Sequence, residues 1–285
     1  MRTLDRNAHS LRVVAAPPMP LARLVEGRGV EEVAELLPRL FNLCRVAQSV
    51  ALRLALGLPV GDMRALAVEI ARDHALKLGV IWPARLGLAA CADPRGGVLG
   101  GPFPQEAGAF ETYLQGNAGI APLLRAVVAR FGPQDGVCPA LPEVSPESVL
   151  AETAQENSVA ARHLAHPVMR HVEAGHGRGP LWRVVARALD LEAAERDDLP
   201  APRMIGEGAA VVPAARGLYA VQAEVWEGHV MRLRRVTPTD HLLAPGGIME
   251  CALASLPRSK HCEAGLLVDL LDPCTPVTLK GGAHA

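Results

Sequence analysis

Six cysteines, at positions 44, 91, 138, 251, 262 and 274, are the residues of this 285-residue chain best equipped for chemistry, because a thiolate is both a nucleophile and a ligand for soft metals. No two of them form a C-x-x-C. His261-Cys262 with Cys251 and Cys274 could make a soft-metal site, yet spacings above ten residues are not diagnostic of one. His163, His166, His171 and His176 crowd a single stretch. On a helix only the first two would share a face and Pro167 would disturb the rest, which favours a surface role over ligation. The chain has no G-x-x-x-x-G-K-[ST], G-x-S-x-G or H-E-x-x-H, and Gly175-His-Gly-Arg-Gly179 has the wrong glycine spacing for a dinucleotide fingerprint. Ordinary nucleotide hydrolysis and zinc-ribbon folds lose support accordingly.

The elements that must position these residues read as follows. Apolar residues recur at helical spacing from Gly29 to Leu58, with Pro38 predicted to kink the helix or start a new one and Cys44 just beyond that break. A second helix is predicted over about 62–80, before Trp82-Pro83 weakens it. Residues 91–118 are rich in Gly and Pro and read as a long irregular connection, a lid or a shortened insertion. Further helices are predicted over 120–131, 146–174 and 181–196. From about Met204 the texture changes. Tyr219, Val221, Ala223 and Val225 alternate onto one face and Glu227-Gly228 supplies a turn, which predicts a β-hairpin over 217–239. Gly246-Gly247 precedes a short helix, and another over 264–271 is ended by Asp272-Pro273-Cys274. The expected fold is α+β, mostly α-helical, with a small antiparallel hairpin or sheet in the C-terminal part. It forms one domain over 1–285: helical over 28–200, hairpin and helices over 204–280, a flexible end at 281–285.

Composition narrows the function classes. Hydrophobic residues make up 49% of the chain, ample for a packed core, and the nine Phe, Trp and Tyr residues are too few for a β-sandwich core. The 29 Lys and Arg are scattered and formal net charge is -1, so neither nucleic acid nor an anionic membrane surface is an expected partner. The first twenty residues hold no signal-peptide core, and no apolar run approaches the roughly 18 residues of a membrane span. A cytoplasmic protein with reduced thiols is expected.

Three distant segments, taken together, resemble the large subunit of nickel-iron hydrogenases. Arg39-Leu-Phe41-Asn-Leu-Cys44-Arg-Val-Ala-Gln48 is similar to that family's R-x-C-G-x-C-x-x-x-H, with Phe41 at the first cysteine, Cys44 at the second and Gln48 at the histidine. Pro213-Ala-Ala-Arg216-Gly217, the hairpin and Thr237-Pro238-Thr239 resemble its E-A-P-R-G, strand pair and T-P-T in order and spacing. Asp272-Pro-Cys274-Thr-Pro-Val277-Thr-Leu-Lys280 resembles the C-terminal D-P-C-x-x-C-x-x-H, with Val277 and Lys280 replacing the last cysteine and histidine. The specific similarity covers about 120 residues, and the middle of the chain matches only as helices.

The resemblance implies a degenerate hydrogenase-large-subunit-like fold and a non-catalytic role. In the family, four thiolates hold nickel and two of them bridge to an iron carrying carbon monoxide and two cyanides. The two cysteines left here cannot rebuild a nickel site. Cys44 and Cys274 are the implied ligands of an iron with cyanide and carbonyl ligands, bound transiently. Arg216, Thr237, Pro238 and Thr239 are the implied pocket for those ligands, because a guanidinium and a Thr hydroxyl can donate to a cyanide nitrogen. This pattern resembles the large-subunit-like accessory group HupK or HoxV, scaffolds thought to act between the iron-cofactor assembly proteins and the hydrogenase large-subunit precursor. The chain ends five residues past Lys280, so no cleavable tail is expected. The alternative is a metal-free chaperone that binds the precursor or the assembly proteins without iron. On that reading Cys44 packs as a small hydrophobe, Arg216 pairs with a carboxylate and Thr237-Pro238-Thr239 merely ends a strand.

Overall fold

The computed structural model describes residues 11–40, 43–91 and 97–281. After a short strand, β1 (Arg12–Ala15), the chain runs through α1 (Leu21–Val25), α2 (Val30–Leu40), α3 (Arg45–Ala55) and α4 (Arg64–Leu76). A π-helical turn over Lys77–Ile81 leads into α5 (Trp82–Arg85), and then follow α6 (Ala107–Gln115), α7 (Ala121–Arg130), α8 (Pro167–His176) and α9 (Pro180–Glu195). The C-terminal part holds β2 (Arg203–Gly206), β3 (Ala209–Ala214), β4 (Gly217–Trp226), β5 (His229–Val236), α10 (Pro238–Leu243), α11 (Ile248–Ser255), α12 (Ala264–Leu271) and β6 (Val277–Lys280).

Helix α9 is the axle. Every residue from Pro180 to Glu192 is buried, including Arg183, Arg187, Asp190 and Glu192, because α4, α7, α8 and α12 all pack against it. A helix covered on all sides must match its internal charges with buried partners, and those partners form the site described below. The second core lies where α3 packs on a four-stranded antiparallel sheet of order β2-β3-β4-β5, burying Val212, Val221 and Tyr219 against Ala47, Ala51 and Leu52. Ala214 pairs with Gly217, so the β3–β4 connection is the two-residue turn Ala215-Arg216. The hairpin turn at Glu227-Gly228 has positive φ at both residues, as a turn matching the strand twist requires. β1 and β6 form a separate antiparallel ribbon that ties the N-terminal segment to the last strand.

The architecture is the expected one, and four local expectations differ. A register shift at Glu224/Val225 turns Val225 out of the buried face, leaving it 43% exposed. The helix predicted over 146–174 is a loop, a 3₁₀ turn at Val159–Arg162 and then α8 alone. In that loop the Gln155 amide donates to the Ser148 and Ala151 carbonyls, so a side chain takes the role of helical N–H groups. Within the Gly/Pro-rich connection, α6 forms once Pro104 is passed. Pro38 lies inside α2 near its end rather than restarting it, and Pro83 is tolerated in the first turn of α5, where no N–H is needed. Phe41 and positions 282–285 of the expected flexible end lie outside the described residues.

Candidate functional site

Arg216 is carried out of the sheet on the β3–β4 turn, and three contacts fix that turn. The Arg162 guanidinium donates to the carbonyls of Ala214 (2.6 Å) and Gly217 (2.7 Å). The Asn157 side chain accepts from the Leu218 N–H at 2.7 Å and donates to the Leu218 carbonyl at 2.9 Å. Gly217 has φ 141, and a Cβ there would lie 2.5 Å from the Asn157 carbonyl, so only glycine allows this approach. Thus held, the buried Arg216 side chain donates from Nε to the Asp272 carbonyl (3.1 Å), from Nη2 to Asp272 Oδ1 (3.2 Å) and Asp73 Oδ1 (3.5 Å), and from Nη1 to Cys44 Sγ (3.6 Å).

Cys44 sits at the N-cap of α3 in the left-handed region, φ 53. That conformation is costly for a side chain with a Cβ, and it is supported from α4. Glu69 accepts the N–H groups of Val46 (2.7 Å) and Ala47 (3.1 Å), capping a helix whose first turn has no acidic residue of its own. Gln48, buried one turn on, donates to the Leu43 carbonyl. Burial pushes the Cys44 thiol up to about 11, opposed by the Arg216 charge beside it and reinforced by Glu69 and Asp73.

The second cysteine arrives from the end of α12. Asp272 closes that helix in the left-handed conformation, and its buried carboxylate receives Lys77 Nζ (2.6 Å), Arg187 Nη2 (3.0 Å) and Arg216. Burial alone would raise the Asp272 carboxyl, but Arg187, Arg216 and Lys77 together hold it below the usual carboxylate range. Two residues later the Cys274 N–H donates to Thr239 Oγ1 at 2.9 Å. Cys44 and Cys274 both lie within electrostatic reach of the Arg216 guanidinium and of the buried Tyr219 hydroxyl. The structure therefore brings Cys44, Arg216, Thr239 and Cys274 to one place from four separate elements. Thr237 is in that neighbourhood but committed elsewhere: its hydroxyl and N–H form a capping box with Asp240 at the start of α10.

Behind Arg216 the network continues through α9. Arg187 bonds Asp73 (3.0 Å) and His74 Nδ1 (3.3 Å), and His74 Nε2 donates to Asp190 (2.7 Å), which also receives Arg162 and His163. His163 is thus a member of this buried cluster rather than a surface histidine. Burial holds His74 below its ordinary value, so it stays neutral and its ring bridges a cation and an anion. Sequence reasoning missed Asp73, His74, Arg187 and Asp190. A signal existed in α9, where Arg183, Arg187 and Asp190 recur every three or four residues among Leu, Val, Ala and Trp.

Pro238, Thr239, Arg216 and Asp272, with Arg183 and Ile248, line a small, partly open cavity of about 40 Å³. That is room for one or two water-sized groups. The second hydrogen on Arg216 Nη1 and the hydroxyl hydrogen of Thr239 have no acceptor among the described residues. Cys44 bonds Arg216 and the Cys274 N–H bonds Thr239, two residues of the cavity lining, and two thiols so placed with two such donors can hold a soft metal whose own small ligands accept hydrogen bonds. The described residues contain no cluster of three or more His, Cys, Asp or Glu groups suited to a metal, and no helix long and apolar enough to cross a membrane.

The chain is 46% identical over 275 residues to the hydrogenase expression/formation protein HupK of Rhodobacter capsulatus, spanning 94% of this chain and 92% of that protein. This chain belongs to the HupK family. Its structure is similar to that of the Ni-Fe-Se hydrogenase from D. vulgaris Hildenborough in the reduced state, with a TM-score of 0.58 and 12% identity over 94% of each chain. At that identity the likeness is one of fold, and the fold is that of a hydrogenase large subunit. No family model matches the chain. In this HupK-family member the positions that the hydrogenase motif gives to a cysteine and a histidine, Val277 and Lys280, are strand residues of β6 paired with Ala15 and Arg12.

Proposed function

We propose that this chain is a non-catalytic cytoplasmic assembly factor for nickel-iron hydrogenase. It carries an iron bearing cyanide and carbonyl ligands as cargo from the iron-cofactor assembly proteins to the large-subunit precursor. Cys44 and Cys274 bind the iron as thiolates. Arg216 and Thr239 donate to its cyanides, and Pro238 and Leu242 line the apolar part of the cavity. The observation that carries this reading is the convergence of the two cysteines on Arg216, with Thr239 bonded to the backbone of one of them.

Two thiolates hold an iron less firmly than four, which suits a carrier that must release it. Cys44 also resists ionisation while empty, so cargo binding must expel a proton, and a proton returned to the sulfur on release favours handover. Neither nickel nor hydrogen turnover is part of the proposal.

Replacing Cys44 and Cys274 together by Ser tests it in cells that mature their hydrogenase. The expected result is loss of hydrogenase activity while the variant remains folded and still binds the large-subunit precursor. Full maturation by the variant would overturn the carrier reading in favour of a metal-free chaperone.

A further inference from the structure

His241 stands two residues beyond Thr239, on the opposite side of α10, and is fully buried. What its ring does follows from Leu218, the second residue of β4. The β4–β5 ladder ends with Ala220 paired to Val236, and on its other side Leu218 faces Pro213, which has no N–H to give. The Asn157 carboxamide stands in for the missing strand, accepting the Leu218 N–H at 2.7 Å and donating to its carbonyl at 2.9 Å. That pairing fixes the amide's orientation, because only the oxygen can meet an N–H and only the NH2 group can meet a carbonyl.

The other Nδ2 hydrogen of Asn157 goes to His241 Nδ1 at 2.8 Å, so that ring nitrogen carries no proton and accepts. The ring proton therefore sits on Nε2, which donates to the Ala151 carbonyl at 2.8 Å. Burial holds the ring below its ordinary value against the Ala151 carbonyl and the carboxylates of Asp240 and Glu152, and it stays neutral. Each group from Ala151 through His241 and Asn157 to Leu218 is left with a single role.

We infer that His241 is a positioning residue for the cargo pocket, an inference that rests on the carrier reading: its ring sets Thr239 and Arg216, the two donors to the cargo's ligands, relative to each other. Thr239 belongs to α10, Arg216 to the turn that Asn157 holds, and the His241–Asn157 bond is a direct tie between them. A side chain that offers a donor where Nδ1 now accepts would set two N–H groups against each other. The Asn157 amide would then have to rotate or withdraw, and either movement releases Leu218 and loosens the turn that carries Arg216.

Two substitutions separate this role from the filling of space. An Asn side chain can place its oxygen near the position of Nδ1, whereas Gln reaches the position of Nε2, where it can donate to Ala151 but offers Asn157 no acceptor. In the full-length chain, with the fold of each variant checked by circular dichroism, NMR reads hydrogen exchange at the Leu218 amide. The expected result is exchange within about threefold of the unaltered protein for His241→Asn, and about tenfold faster or more for His241→Gln. Packing alone would be served better by the larger Gln, so equal exchange in the two variants, or faster exchange in His241→Asn, would overturn the inference. A second measurement needs no variant. Nitrogen-15 shifts of the His241 ring at pH 7 should show the neutral form protonated on Nε2, and a doubly protonated ring or one protonated on Nδ1 would also overturn it. Neither measurement involves iron. Failure of the carrier reading shows as missing cyanide and carbonyl bands, and failure of this inference shows at Leu218 and His241, so the two are told apart.

Discussion

Arg216 uses all three guanidinium nitrogens inside the protein, on Asp272, on Asp73 and on the sulfur of Cys44. A residue held this firmly can present its remaining N–H to cargo without losing side-chain entropy on binding, which is how a preformed pocket gains selectivity. The same pairing was one of the alternatives open in the sequence, Arg216 bonded to a carboxylate. The geometry makes it compatible with a ligand role rather than a substitute for one. Burial pushes the Cys44 thiol up to about 11, and this resistance to ionisation is measurable. At pH 8 iodoacetamide should alkylate Cys44 at least tenfold more slowly than the exposed Cys262, because Cys44 is shielded and a thiol pushed up to about 11 presents very little thiolate at that pH. Equal rates, read by mass spectrometry of the separate tryptic fragments, would remove the basis for coupling cargo binding to proton release. At this scale Cys44, Cys274, Arg216 and Thr239 were legible from short motifs. Asp73 and His74 were not, because their α9 partners lie more than 100 residues away, and Asp190 was not, because its partners His74, Arg162 and His163 all come from outside its helix and no spacing announces them.

Each of these side chains takes its direction from the end of an element: the N-terminus of α3 for Cys44, the β3–β4 turn for Arg216, the first turn of α10 for Thr239, and the exit of α12 for Cys274. Element ends are where the chain can project a group into a shared space, and each end here is stabilised by a specific partner. Glu69 is the partner of α3. Glu69→Gln should lower stability by about 1 kcal/mol, the usual worth of a helix N-cap, and should make Cys44 easier to alkylate as the cap loosens. Urea unfolding would detect the first effect, and unchanged stability would show that α3 holds Cys44 without Glu69. The hairpin and the helix over 264–271 could be read from alternation and from breakers, since local propensity and tertiary packing agree there. The segment over 146–166 misled because its helical look came from composition. Its Ser, Gln and Asn side chains in fact bond backbone groups and hold it as a loop around the Arg216 turn. Strands β2 and β3 escaped notice because β3 is buried on both faces and has no alternation to betray it.

Across the whole molecule, the site joins the two ends of the chain. Asp73 and Cys44 come from the first third, Asp272 and Cys274 from the last few residues, and Arg187 and Asp190 of α9 stand between them. The carboxyls of Asp272 and Asp190 are both held below their ordinary range in the folded chain, against the effect of burial, by the arginines around them. Their contribution to stability is therefore present above the unfolded value of about 3.9 and lost as pH falls through the lower folded values. The melting temperature should fall steeply below about pH 4, and Asp272→Asn, less stable at neutral pH, should lose less on acidification. An equal slope in the variant would mean that other carboxylates carry the acid sensitivity. The central claim, that the family's fold has been kept here to hold an iron fragment and not to turn over hydrogen, is tested most directly by infrared spectroscopy with iron analysis. The protein would be purified without oxygen from cells expressing the complete hydrogenase assembly system, beside the Cys44→Ser/Cys274→Ser variant. Cyanide and carbonyl bands with bound iron in the unaltered protein, and neither in the variant, are the predicted result. Absence of those bands, with substoichiometric iron in a protein that still binds the large-subunit precursor, would contradict it.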